Sequence, residues 1–175
     1  MAVTDFNLNA GQRAERKLLL TVAEWTEGNS QVRELLGTRT EDSSIEYNAD
    51  IETTTDILGN NYTDLNRTQP QQDFDPYLIL GGSKLGPKLN DIRRRNALSE
   101  LNQFTIYIIT AFSGSAGSYD AEKHTDCTIT YNSIGGDVNV NFPISVYLSN
   151  KITLGTVAKL DDTFTFTAAS TTTGL

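Results

Sequence analysis

Between Asp42 and Ile57 the chain alternates with period two almost without a break. Ile45, Tyr47, Ala49, Ile51 and Ile57 fall on one side, and Thr53 and Thr55 continue that row. The other side carries Asp42, Ser44, Glu46, Asn48, Asp50, Glu52, Thr54 and Asp56. Successive side chains of a strand point to opposite faces, so the pattern requires extended backbone and excludes a helix here. It predicts one face packed on a core and another presenting five carboxylates to water. An interruption near Asn48 to Asp50 leaves room for a hairpin, because a bend of even residue count preserves the alternation.

The polar composition extends that reading to the whole chain. Thr, Asn and Ser number 23, 14 and 12 of 175 residues. Thr favours half-buried pleated surfaces, and Asn and Ser favour turns, so many short strands are expected. Lys17 to Thr26 predicts a strand covered on both faces, with Leu18, Leu20 and Val22 opposite Leu19, Ala23 and Trp25. Further strands are expected at Val32–Arg39, Tyr77–Leu80, Phe104–Phe112, Cys127–Asn132, Val138–Leu148, Ile152–Val157 and Thr163–Thr167. Phe104–Phe112 is apolar on both faces and should be central. Gly59 to Pro76 is too long and polar for an ordinary connection and is expected to be an interaction loop. One helix is predicted over residues 87–97, from Pro87 and the spacing of Leu85, Leu89 and Ile92. The fold class is therefore mainly β, an antiparallel sandwich or barrel with one flanking helix. Residues 17–167 form a single domain, between a flexible arm at 1–16 and a flexible tail at 168–175.

Composition removes most chemistry. A net charge of -8 disfavours a phosphate-gripping surface. One cysteine, Cys127, and one histidine, His124, leave no disulfide framework, no zinc cluster and few nucleophilic schemes. In a regular strand His124 and Asp126 share a face while Cys127 points away, so Cys127 reads as a small buried residue. Gly81 to Pro87 follows a strand and precedes a helix, yet Pro87 replaces the lysine of a phosphate loop. Asp56 to Asn61 lacks the acid spacing of a calcium loop. The row of carboxylates has no adjacent aromatic-rich cleft, which a glycosidase pair would need. No enzyme, cofactor or metal is expected, and no leader or membrane segment is read from the chain.

Charge is unevenly spread. Residues 41–82 carry nine acids and only Arg67, a net of -8, while residues 83–101 carry five bases and two acids. An acidic segment and a basic helix on one subunit invite self-association.

Several segments, taken in order, resemble the major tail tube proteins of long-tailed phages. They are Leu36 to Ser44, Asp50 to Gly59, Pro70 to Pro76, the basic helix, Gly135-Gly136-Asp137 and Gly155-Thr156-Val157. The similarity runs over most of residues 17–167, and the fold is also similar to contractile-tail and type VI secretion tubes. The resemblance implies a structural subunit that closes rings, six-membered in the family, and stacks them into a tube for DNA ejection. It implies itself, tail terminator, baseplate or tail-tip and tape measure proteins as partners. DNA would be a transient passenger, and the virion the location, after assembly in a host cytoplasm. On that basis Glu46, Asp50, Glu52 and Asp56 are candidates to line the channel. Tyr62, Arg67, Phe74, Arg93 and Arg94 are candidates for subunit contacts. The competing reading is another virion structural or binding module: baseplate, head decoration or carbohydrate-binding sandwich.

Overall fold

A computed structural model describes residues 5–170. Among these residues eleven strands and one α-helix follow one another. Strands β1 (Leu19–Glu27) and β2 (Ser30–Leu35) form a hairpin, and β3 (Ile45–Glu46) and β4 (Asp50–Thr55) lead outward. Strands β5 (Asn61–Arg67) and β6 (Gln71–Phe74) return, and α1 (Leu85–Arg95) follows. The chain then builds β7 (Phe104–Ser115), β8 (Ser118–Tyr131), β9 (Ile144–Tyr147), β10 (Ile152–Val157) and β11 (Phe166–Ala168).

Among the described residues all pairings are antiparallel, and seven strands of a nine-stranded sheet join in the order β2-β1-β7-β8-β9-β6-β3, with β10 and β11 off this path. The sheet branches at β8. Residues Tyr119 to His124 pair with β10, which carries β11, while Thr128 to Tyr131 pair with β9. The sheet does not close into a barrel, so the mainly β, antiparallel fold with one helix holds without barrel closure.

Alternation along β1 feeds two cores. Ala23 and Trp25 join Phe74, Phe104, Ile106, Ile129, Phe142, Ile144 and the inner helix face of Leu85, Leu89 and Ile92. Val22 points the other way, to Tyr107, Ile109, Ala121, Val157 and Phe164. The expected double covering of this strand is therefore observed. The C-terminal segment supplies the second cover, clasped by Arg33, which bonds Glu24 and the Phe164 carbonyl and stacks 4.4 Å from the Phe164 ring. Burial and the nearby Glu24 carboxylate push the Tyr107 phenol up to about 12.

Several expectations change in detail. Tyr77–Leu80 is not a strand: Tyr77 is buried and Leu78 forms one bridge to Asn141, but Ile79 and Leu80 are exposed. Strand β8 begins nine residues before Cys127, because Tyr119, Ala121 and Lys123 extend it in register with β7 and β10. Of the N-terminal arm, residues 1–4 lie outside the described residues. Phe6 bridges Ser113, and Asn7 donates its backbone N–H to the Phe112 carbonyl at 2.9 Å. Ala168 lies in β11 and Ala169 donates to the Leu154 carbonyl, whereas residues 171–175 are outside the described range. Among the described residues no helix is long and apolar enough to cross a membrane.

Candidate functional site

The segment that alternates in the sequence becomes one side of a projecting two-stranded arm. Its base belongs to the sheet, where Ile45 pairs with Gln72 and Glu46 with Gln71. Beyond the base, Asn48 takes a positive φ of 44° and its amide donates to the Gln69 carbonyl at 3.1 Å. Gln69 in turn donates to the Tyr47 carbonyl at 2.8 Å, so the ribbon kinks without parting. Strands β4 and β5 then pair from Asp50–Arg67 to Thr55–Asn61, as a separate two-stranded sheet with a bulge beside Asp50.

Asp56 closes the tip. Its carboxylate accepts from the Leu58 and Asn60 backbone N–H groups at 2.8 and 2.9 Å, and from the Tyr62 hydroxyl at 3.1 Å. With the Asn60 side-chain amide contributing most, these donors hold the Asp56 carboxyl below the usual carboxylate range. Gly59 completes the turn at φ 84°, where a side chain would be strained. The long loop expected from Gly59 to Pro76 is therefore replaced by β5 and β6. The residues of β5 are polar because that strand is solvated on both faces, not because it lacks structure.

Beyond Ile45, which is partly buried and packs against the core, the apolar row does not reach it. Ile51 and Leu65 face each other across the arm, and each is 60% exposed. Tyr47 and Tyr62 are also more than half exposed, and Ile57 and Leu58 project at the tip at 102% and 81%. All residues of β4 and β5 are exposed. This corrects the expectation that the row packs on the subunit's own core. Period two reports that a strand has two unlike faces; it does not say what covers either one.

The sequence candidates are accordingly dispersed. Glu46 sits on β3 at the base, Asp50 pairs with Arg67 at 3.5 Å, Glu52 stands opposite Asp64, and Asp56 is bound into the tip. Tyr62 and Arg67 lie on β5, close to those acids. Arg93 and Arg94 are exposed at the end of α1. Phe74 is a correction: at 1% exposure this last residue of β6 is part of the core, not a surface contact residue. Asp64 and Leu58 are not among the sequence candidates, and Ile57 is read there only as part of a core-facing row. The signal was present in the alternation of Tyr62, Asp64 and Asn66 against Thr63 and Leu65.

The motifs set aside as structural are explained by their neighbours. At the N-terminus of α1 the Glu34 carboxylate accepts from the backbone N–H groups of Lys84 and Leu85 and from the hydroxyls of Tyr77 and Ser83. A side chain of this subunit thus already occupies the place where a phosphate would bind. At Asp126 the backbone takes φ 56° beside a break in the β7–β8 register. That break, which strict alternation does not foresee, buries both His124 and Cys127 and turns Asp126 out to Lys151. Burial pushes the Cys127 thiol up, which disfavours a thiolate nucleophile. Burial pulls His124 down, but the Glu122 carboxylate and the Ser149 carbonyl outweigh it and the net direction is upward. Among the described residues no group of three or more His, Cys, Asp or Glu is placed to hold a metal ion.

No protein-family model matches the chain, and no curated protein matches it. Among solved structures it is similar to the tube-terminating cap of the anti-feeding prophage, at 15% identity and TM-score 0.48, over 89% of this chain and 99% of that one. It is also similar to a chain of the sheath–tube complex of the extracellular contractile injection system PVC. There the identity is 12% and the TM-score 0.47, over 85% of this chain and 95% of that one. A chain of the anti-feeding prophage baseplate matches at 8% identity and TM-score 0.45, over 84% and 97% of the two chains. These likenesses are loose.

Proposed function

We propose that this chain is a structural subunit that binds copies of itself to form rings, stacked as the tail tube of a phage or phage-like particle. The observation that carries the reading is the arm. A two-stranded hairpin is marginal in water by itself, yet here it holds Ile51, Leu65, Ile57 and Leu58 away from any core. Burying that surface against a neighbour supplies the missing cover. The ordered resemblance of residues 17–167 to tail tube proteins supports the same reading and names the setting: a virion tail assembled in a host cytoplasm. Six-membered rings and DNA ejection belong to this proposal. So do contacts with terminator, baseplate or tail-tip and tape measure proteins.

Two placements of the arm acids follow from the reading. One has Glu46, Asp50, Glu52 and Asp56 line the channel, where negative charge repels DNA phosphates. The other has the arm reach a neighbouring subunit. The dispersal of those four acids and the exposed apolar residues among them favour contact over lining. The N-terminal arm is proposed to settle on neighbours as well. A baseplate or head-decoration role is the second reading, since such proteins share the need for exposed contact surfaces. Sedimentation across protein and salt concentration, with negative-stain microscopy, tests the proposal. Rings or hollow tubes are expected; a monomer at every concentration contradicts it.

A further inference from the structure

The arm and the helix each carry charges that their own subunit leaves unanswered. Glu52 and Asp64 are direct cross-strand partners, a like-charge juxtaposition that weakens a hairpin. Among the described residues neither forms an ion pair; the arm's own cation, Arg67, is joined to Asp50. Tyr62, 52% exposed, lies on the same face two residues from Asp64. At the end of α1, Arg95 is held by Asp91 and Glu100, which leaves the surface two other guanidinium groups. Arg93 bonds the neutral Asn90 side chain at 2.9 Å, and Arg94 forms no ion pair among the described residues. Leu98, 53% exposed, opens the turn that follows the helix. One surface thus offers two acids beside an aromatic ring, the other two guanidinium groups beside a leucine.

We propose that the Glu52, Asp64 and Tyr62 face of the arm docks on the Arg93, Arg94 and Leu98 end of α1 in a second copy of this chain. The inference rests on the self-assembly reading and names the surfaces through which it acts. An arginine placed between Glu52 and Asp64 turns their repulsion into attraction, and its planar fork donates paired N–H bonds to carboxylate oxygens. The contact is head-to-tail: a subunit that gives its arm keeps its helix free for another arm, so the association propagates. Charge complementarity selects a second copy because the acidic and basic surfaces are carried in equal number by the same chain. A divalent cation bridging Glu52 and Asp64, or a separate acidic protein on the helix, is the competing occupant.

The test is a charge exchange read by sedimentation, in chelator, with circular dichroism to confirm folding. One variant carries Glu52→Arg and Asp64→Arg, a second Arg93→Glu and Arg94→Glu, and a third all four. Each reversed pair is expected to raise the concentration needed for assembly about tenfold or more. The fourfold variant, and an equal mixture of the two reversed proteins, should recover to within about threefold of the unmodified protein. Milder Glu52→Gln with Asp64→Asn replaces the first variant if that one misfolds, and should shift assembly in the same direction. Normal assembly of either reversed variant overturns the pairing while leaving self-assembly intact, as does failure of both the fourfold variant and the mixture. Loss of assembly of the unmodified protein in chelator assigns the acids to a cation instead and also overturns it. A protein that never assembles under any condition defeats the self-assembly reading itself.

Discussion

The sheet body and the arm are built from the same alternating pattern, and they solve opposite problems with it. In β1 and β7 both rows are covered, one by the helix side and the other by the C-terminal segment, so Val22, Ala23, Ile106 and Ile109 are fully buried. In β4 and β5 both rows are exposed, and the pairing is held by threonine contacts and the Asp56 turn. The body therefore folds on its own apolar area. The arm is shaped in advance by local hydrogen bonds and leaves its apolar area for another surface. Stability of the subunit should reside in the first region, and association in the second.

The comparison breaks most sharply under truncation of the body. Ile106→Ala leaves a cavity where three strands and the helix converge and should cost about 2–5 kcal/mol in denaturant unfolding. A loss comparable to that of a surface substitution would mean that the body is not the stabilising core. Gly155→Ala is next. A Cβ there would collide with the Thr167 carbonyl and the Phe166 ring. The expected loss is about 1–3 kcal/mol, with freer exchange of β11 amides.

A smaller effect is expected from pH. The folded pKa of His124 is raised, so its contribution is fully present below the unfolded value of about 6.5 and is lost as pH rises through the folded value. Stability of the subunit should therefore decline across that interval, and the decline should be absent in His124→Gln. A stability that rises there would reverse the assigned direction. Smallest is the arm itself. Ile51→Thr with Leu65→Thr should change subunit unfolding by less than about 0.5 kcal/mol, since both positions are exposed. The same pair should weaken association, and a large loss of subunit stability would show that the arm is part of the body after all.

How far the sequence could be read follows the same division. Ile152–Val157 is observed with the bounds its pattern predicts, and the helix at Leu85–Arg95 lies within two residues of prediction. In the helix the side chains that set the pattern are buried in this subunit, whereas in Ile152–Val157 only Gly155 and Val157 are buried and Ile152 and Leu154 are exposed. Strand β8 was read only in part, because its first half alternates with charged residues and its course is broken at Asp126. The extended backbone of the arm was legible only in β4; β5 was read as a loop, and the exposure of the apolar row was not read. A row such as Ile45, Tyr47 and Ile51 has the same period whether its own core or another molecule covers it. Phe74 shows the reverse error: a loop-like sequence context concealed a residue at the centre of the core.

Hydrogen–deuterium exchange of the arm amides, in dissociated and assembled protein, tests the central claim most directly. If the arm is held in reserve for a neighbour, residues 50–67 should exchange far faster than β7 in the free subunit. They should gain protection on assembly while β7 stays unchanged. Equal protection of the arm in the two states would contradict the account.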